Sequence, residues 1–186
     1  MNLYLARHAE TNYNVLGLSN SDPKVDVHLT ALGIRQAKEL GVSLKNERLD
    51  AVYISELSRT AETTRYITEG RGLKIISDSR LNDLNMGFEG KPVNDYHAKL
   101  SLASDMWSAK FNSGESLNDL NNRVASFLAY LSELGGEKNI LVVSHYTVLQ
   151  LMIGQIKHLD KNDALKIEIT QGQYSKIALK NFVINK

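Results

Sequence analysis

The chain has 186 residues, of which 42% are hydrophobic and 23% are charged, as is usual for a globular protein. Its 22 basic and 21 acidic side chains give a net charge of +1, which excludes a global field that would hold nucleic acid or an anionic membrane. There is no cysteine, so disulfides, thiolate catalysis and cysteine-ligated zinc are excluded.

Short apolar runs alternate with helical patterns along the chain, which predicts a sheet flanked by helices. Residues 2–6 form the first predicted strand, and a polar loop rich in turn residues follows it. A helix is predicted after Thr30, a suitable N-cap, because apolar side chains then recur at helical spacing. The next predicted elements are a strand over 50–55, a helix over 57–69 and a strand over 73–77.

Regular periodicity fails between Arg80 and Gly114, in a segment that holds two further glycines, a proline and the only tryptophan. A long irregular insert of this kind is more often a lid or a binding loop than a linker. We therefore predict a single domain over 1–186 that carries a lid-like insert over about 80–114.

The clearest helical pattern lies between Leu117 and Leu134, behind Ser116 as N-cap with Asp119 three residues later. Residues 139–144 are nearly all apolar, which predicts a central strand covered on both faces. The remaining predicted elements are a helix near 147–156 and two strands over about 164–169 and 174–181. The predicted fold class is α/β, a three-layer α/β/α sandwich around a mostly parallel, mixed sheet.

Three predicted strands end in side chains that are suited to phosphate. The first runs into Arg7 and His8, the second into Ser55 and then Arg59, and the strand over 139–144 into His145. Each residue taken singly is more often an ordinary loop or surface residue, but the carboxyl ends of strands converge in an open α/β sheet. Arginines can hold phosphoryl oxygens in forked hydrogen bonds, while one imidazole attacks phosphorus and the other stabilises the same oxygens. These residues predict a phosphate site that needs no metal.

Six segments in the same order resemble the histidine phosphatase superfamily, which includes cofactor-dependent phosphoglycerate mutases, fructose-bisphosphatases, α-ribazole phosphatases and phytases. They are "LARHAETNYN" at 5–14, "LTALGIRQA" at 29–37, "SELSRTAET" at 55–63, "RLNDLNMGFEG" at 80–90, "GES" at 114–116 and "VVSH" at 142–145. The resemblance covers nearly the whole chain and implies a phosphoglycerate mutase-like fold.

The resemblance also implies roles for single residues. His8 would become phosphorylated, and Arg7, Arg59 and His145 would grip the phosphate with help from Asn14. In this scheme the four pocket residues recognise only the phosphoryl group, which is common to every ester.

The general acid of the resembling family falls on Asp83, which would protonate the leaving oxygen and then take a proton from water. Without the resemblance, Asp83 would be interpreted as a loop carboxylate that caps a turn. Three positions depart from the family pattern: Ala9 and Tyr146 stand where glycines are usual, and Asp83 stands where glutamate is usual.

Discrimination between substrates is predicted to come from the insert and the pocket rim. Glu10 and Thr11 are either substrate contacts or structural residues, and Glu115 either serves the site or faces a helix dipole. His28 and His97 are surface residues or substrate contacts, and Trp107 is expected in the core. The predicted substrate-binding residues are Arg7, Asn14, Arg59, His145, Glu10, Thr11, Lys91, Tyr96 and Tyr146.

The sequence therefore predicts a metal-independent phosphatase that hydrolyses a small-molecule phosphomonoester through a phosphohistidine, without a cofactor. A phosphoglycerate mutase-type phosphotransferase is one alternative, although a short lid excludes water less well and favours hydrolysis. The other is a non-catalytic phosphate-ester binding module, which the three departures motivate. The expected partner is a small phosphorylated substrate, with neither nucleic acid nor membrane, and a homodimer is left open. Without a signal peptide or an apolar span, the cytoplasm is the expected location.

Overall fold

A five-stranded sheet forms the centre of the computed structural model, which describes residues 1–180 and residue 182. The strands are β1 (Asn2–Arg7), β2 (Ala51–Ile54), β3 (Ile75–Ser77), β4 (Asn139–Ser144) and β5 (Tyr174–Ala178). Their order is β3-β2-β4-β1-β5, with β5 antiparallel to β1 and the other pairs parallel. The predicted mixed, mostly parallel sheet is confirmed.

Helices follow most of the strands. They are α1 (Asn12–Leu16), α2 (Ala31–Ser43), α3 (Ser58–Ile67), α4 (Val93–Leu100), α5 (Leu117–Leu134), α6 (Tyr146–Ile156) and α7 (Lys161–Ala164). The predicted caps are present: Thr30 accepts a hydrogen bond from the backbone of Gly33, and Ser116 forms a capping box with Asp119. Within residues 1–180 and 182, no helix combines the length and apolar character needed to cross a membrane.

Side chains that alternate along the strands place one helix layer on each face of the sheet. On one face, strand residues such as Leu5 and Val142 share a core with Phe127 of α5 and Leu149 of α6. The side chains on the other face join a second core, with Tyr4, Ala6, Leu141 and Val143 packed against Leu40, Leu44 and Ile67. The sheet thus separates two cores, and the three-layer fold class is confirmed.

The strand predicted over 164–169 is wrong. Helix α7 ends at Ala164, and the following backbone has no strand partner in the described chain. Its carbonyls are bonded instead by a side chain, since the amide of Gln150 donates to Leu165 at 2.7 Å and to Ile167 at 2.9 Å. The alternating apolar residues that suggested a strand pack against the core from a coil. The closing strand was predicted over 174–181, but β5 ends at Ala178, and residue 181 lies outside the described residues.

The insert over 80–114 is less irregular than its sequence suggests. It contains α4, whose buried Tyr96 meets Phe88 and Phe111 edge to face, with ring centroids 6.1 and 5.8 Å apart. Trp107 is buried, as expected, and its indole N–H donates to Asn162 at 2.8 Å. The aromatic cluster fixes this segment beside the carboxyl ends of the strands.

Candidate active site

The carboxyl ends of β1, β4 and β2 lie side by side and bring the predicted phosphate ligands together. Arg7 ends β1 and His8 follows it, His145 follows β4 directly, and Arg59 lies in the first turn of α3 after β2. The backbone N–H of His8 donates to the carbonyl of Ser144 at 3.0 Å, which joins the two strand ends. The ring centroids of His8 and His145 are 5.2 Å apart. The convergence expected for the carboxyl ends of these strands is therefore observed.

The imidazole of His8 is buried and held in one tautomer. Its Nδ1 lies 2.8 Å from the carbonyl oxygen of Ala9, which can only accept, so Nδ1 carries the proton and Nε2 keeps its lone pair. Burial, followed by Arg59, His145 and Arg7, lowers the pKa of His8 well below its usual value. Burial is also the largest reason that the pKa of His145 is lowered. His8 is therefore a neutral imidazole near pH 7, as a nucleophile must be.

A chain of hydroxyl groups orients His145. The hydroxyl of Thr60 donates to the carbonyl of Leu57 at 2.9 Å and lies 2.9 Å from the hydroxyl of Ser55. Ser55 therefore donates to Thr60 and accepts from Nε2 of His145, which is 2.9 Å away. This arrangement turns Nδ1 of His145 toward Asp83, whose Oδ2 is 3.5 Å distant.

Arg59 is almost fully buried, with 4% of its surface exposed. Its Nη1 donates to Oδ1 of Asn20 at 2.6 Å, and its Nη2 donates to Oδ2 of Asp83 at 2.9 Å. The other carboxylate oxygen of Asp83 accepts from the backbone of Leu84 at 2.9 Å. Although Asp83 is shorter than glutamate, its carboxylate thus reaches both Arg59 and His145.

The loop that carries Asp83 is fixed from behind by Arg123 of α5. Arg123 donates to the carbonyls of Asn82 at 2.7 Å and Asp83 at 3.0 Å, and its guanidinium pairs with Glu115 at 2.6 Å. Glu115 also accepts from the backbone of Asn85 at 3.0 Å. Glu115 therefore binds this loop rather than simply facing the helix dipole. The role of Arg123 is not recognisable from the sequence, where it is one charged residue beside an apolar helix face.

Two buried nitrogen atoms in this site have no hydrogen-bond partner in the described part of the chain: Nε of Arg7, which is a donor, and Nδ1 of His145, which can donate only when the ring is protonated. A buried polar group that is left unpaired costs about 1–3 kcal/mol. The guanidinium of Arg7 lies 5.1 Å from the ring centroid of Tyr146, a cation–π contact that leaves its N–H groups for another partner. The free N–H groups of Arg7 beside Arg59, with His145 as a further donor when protonated, make a site suited to a multivalent oxygen anion.

Local contacts accommodate Ala9 and Tyr146, the two residues that stand where the family usually has glycine. The methyl group of Ala9 packs with Leu29 and Ala37, while its backbone N–H donates to the hydroxyl of Thr63 at 3.1 Å. The ring of Tyr146 lies against the guanidinium of Arg7 in the cation–π contact described above. Neither substitution therefore blocks the space around His8.

A cavity of about 420 Å³ opens over these groups. Six of the nine predicted substrate-binding residues line it: Arg7, Thr11, Asn14, Arg59, Tyr96 and Tyr146. Thr11 and Asn14 also bond each other in a capping box at the start of α1. Asn20 lines the cavity as well, and its bond to Arg59 is a contact that its position among turn residues does not reveal.

Three candidates lie elsewhere. Lys91 is exposed and lines a separate surface groove with Glu89 and Asp95, so the structure does not bring it to the cavity. The carboxylate of Glu10 accepts from the hydroxyl of Thr30 at 2.6 Å and belongs to the start of α2. His28 pairs with Asp26 at 3.6 Å on the surface. The structure thus places neither Lys91 nor Glu10 among the residues that line the cavity.

Comparison with known proteins identifies the family. Residues 3–182 match the family model of the histidine phosphatase superfamily, branch 1. An adenosylcobalamin/alpha-ribazole phosphatase of Escherichia coli K12 is 32% identical over 183 residues, which cover 95% of this chain and 89% of that protein. The crystal structure of the alpha-ribazole phosphatase from Shigella flexneri matches with a TM-score of 0.85 at 33% identity, over 96% of this chain and 90% of that one.

A Yersinia pestis protein named "Probable phosphoglycerate mutase GpmB" is 27% identical, over 95% of this chain and 84% of its own length. The chain belongs to the histidine phosphatase superfamily. The family, the phosphoglycerate mutase-like fold and the enzyme class, a phosphatase that acts on phosphomonoesters, are predicted correctly from the sequence.

Proposed function

We propose that His8 takes the phosphoryl group of a small-molecule phosphomonoester and that water then removes it. The observation that carries this proposal is the neutral, buried imidazole of His8 beside two buried nitrogen atoms without a partner, Nε of Arg7 and Nδ1 of His145. The alpha-ribazole phosphatases among the relatives support a substrate of this kind. A phosphoryl dianion would accept hydrogen bonds from Arg7 and Arg59, and from Nδ1 of His145 once that ring is protonated.

Binding of the substrate requires an exchange at Asp83. In the structure, its carboxylate accepts a hydrogen bond from Nη2 of Arg59 and faces Nδ1 of His145. We assign these two nitrogen atoms to the phosphoryl oxygens. The phosphate takes these donors, and its negative charge favours the charged form of His145 and the protonated form of Asp83. The substrate thereby converts the resident carboxylate into the acid that the reaction needs.

The reaction then proceeds in two displacements. Nε2 of His8 attacks phosphorus, a P–N bond forms, the P–O bond to the leaving group breaks, and Asp83 gives its proton to the leaving oxygen. Water next attacks the phosphohistidine while Asp83 accepts its proton, which releases phosphate and restores His8. Transfer to an acceptor hydroxyl in place of water would make the same site a mutase, an alternative supported by the likeness to GpmB.

The same proposal covers the domain organisation, the kind of substrate and the location of the protein. We assign the insert over about 80–114 to one wall of the cavity in a single domain, because Tyr96 and Met106 of this segment line it. The net charge of +1 supports action on free small molecules rather than on nucleic acid. The absence of cysteine suits the cytoplasm.

Release of phosphate in the presence of excess chelator tests the function. We expect a panel of sugar phosphates, aryl-alkyl phosphates, phosphoglycerates and nucleotides to include substrates that are hydrolysed at unchanged rates in EDTA. The reason is that the site is built from cations and imidazoles, and no metal-binding cluster of three or more His, Cys, Asp or Glu side chains occurs within residues 1–180 and 182. Activity that disappears in chelator and returns with magnesium or zinc would contradict the metal-independent mechanism.

Replacing Asp83 by asparagine is expected to slow alkyl esters far more than an activated aryl ester. Asparagine keeps the size of the side chain but cannot donate a proton, and a loss of about 10²–10⁴-fold is usual for a missing general acid. The aryl leaving group needs little protonation. The measurement is kcat for both ester classes as a function of pH. In the native protein, the alkyl rate should increase on the acidic side of neutral, because the leaving oxygen needs a protonated acid and the lowered pKa of His8 still keeps the nucleophile neutral there.

Glu115→Gln serves as the control for the Asp83 variant. It changes a nearby carboxylate that is bound to Arg123, so it tests the loop without removing the proposed acid. Equal losses on both ester classes in Asp83→Asn, with a selective loss in Glu115→Gln, would transfer the role of the acid to Glu115.

A further inference from the structure

Beyond the phosphate ligands, the wall of the cavity is mainly apolar. Apolar side chains reach it from the first loop, from the segment after Asp83 and from α4 and the residues that follow. They include Leu18, Leu84, Met86, Val93, Leu100 and Met106. A volume of about 420 Å³ has room for a ring system as well as the phosphoryl group. The part of the substrate that lies here would lose its contact with water.

Few charged side chains line this wall, and in the proposed function each of them already serves the phosphoryl group or the proton transfer. The charged side chains that line it are Arg7, Arg59 and Asp83. None of the described residues that line the cavity is a lysine. A phosphoryl dianion engages both arginines in the proposed function, so neither remains for a second anionic group. His97 also lines the cavity, but it is exposed and stacked on the ring of Tyr96, with centroids 5.5 Å apart. A carboxylate or second phosphate would be desolvated against apolar side chains without a buried cation to pair with.

Neutral polar side chains also line the cavity, but several of them, including Thr11, Asn14 and Asn20, are already hydrogen-bonded within the protein. The amide nitrogen of Gln150 is bonded to the carbonyls of Leu165 and Ile167. The hydroxyl of Tyr96 is buried and has no partner in the described chain, so it can bond one polar atom if the ring shifts slightly. The wall therefore favours a group with many carbon atoms and no second charge.

We propose that this phosphatase selects esters whose leaving group is uncharged and mainly apolar, such as an aryl-alkyl alcohol, and that it discriminates against esters with a second anionic group. The proposal rests on the proposed function, because it places the phosphoryl group on Arg7 and Arg59. It assigns the phosphoglycerates, with their carboxylate, to the disfavoured class.

A matched pair of substrates tests the proposal without altering the protein. The esters 2-phenylethyl phosphate and 2-(4-carboxyphenyl)ethyl phosphate share the leaving oxygen and the ring and differ by one carboxylate. We expect kcat/KM to be at least about 30-fold higher for the uncharged ester, since an unpaired carboxylate is costly to bury. A ratio within threefold, with both esters hydrolysed, would overturn the proposal and leave the proposed function standing. No hydrolysis of any ester and no phosphorylation of His8 would overturn both.

Two lysine substitutions locate the discrimination in the wall. Met106 lines the cavity and is 36% exposed, so Met106→Lys should be tolerated and should supply the missing cation. We expect it to reduce the preference for the uncharged ester at least about tenfold. Leu102→Lys is the control, because Leu102 is 86% exposed and does not line the cavity. A ratio that Met106→Lys leaves unchanged, or that both variants change equally, would contradict the assignment to this wall.

Discussion

Replacement of His8 by asparagine is expected to abolish both turnover and covalent phosphorylation. The variant removes the nucleophile but keeps a polar group of similar size, which can still donate to the carbonyl of Ala9. Loss of a nucleophile in enzymes with a covalent intermediate lowers kcat by a factor on the order of 10⁶. The measurement combines phosphate release with intact-mass detection of one added phosphoryl group after rapid mixing with substrate.

His28→Asn is the matched control for the nucleophile. His28 lies on the surface, paired with Asp26, and outside the cavity, so both readouts should stay at their native values. Thermal unfolding of both variants separates chemistry from folding, because His8 is buried and His28 is not. A phosphoryl group that still forms in His8→Asn would move the nucleophile to another residue, with His145 the first to examine.

The fold could be predicted where local signals and burial agree. Residues 139–144 read as a central strand because both faces of β4 are covered, and the caps Thr30 and Ser116 fix two helix starts. The same reasoning fails at 164–169, where apolar and polar residues alternate although the backbone forms no strand. Gln150 bonds the carbonyls that a neighbouring strand would bond, and this long-range contact has no local signal.

The candidate site could be predicted in part, for a similar reason. Strand topology brings Arg7, His8 and His145 together, and topology follows from the pattern of elements. The supporting contacts depend on side-chain directions instead. Lys91 belongs to the insert but points into a surface groove, whereas Arg123 lies on a core helix and holds the backbone of the acid loop. The directions of these two side chains cannot be deduced from their positions in the chain.

Arg59→Ala is expected to lower kcat/KM for every ester by a similar factor, about 10²–10³, or roughly 3–4 kcal/mol. Arg59 contacts the part that all phosphomonoesters share, and its burial makes its charge more effective than a surface arginine. The ranking of esters should therefore persist in the variant while their absolute rates fall together. The measurement is kcat/KM for the uncharged and the carboxylated aryl-alkyl esters, in the native protein and in the variant.

Two further variants make this result specific. Lys91→Ala changes an exposed cation outside the cavity and should alter neither the rates nor the ranking, whereas Met106→Lys should alter the ranking with a smaller change in rate. Unfolding measurements are needed for Arg59→Ala, because the substitution also leaves Asn20 and Asp83 without their buried partner. If the folded Arg59→Ala protein reversed the ranking of the two esters, the separation between a phosphate-binding end and a selective wall would be wrong, and Arg59 would have to contact the leaving group as well.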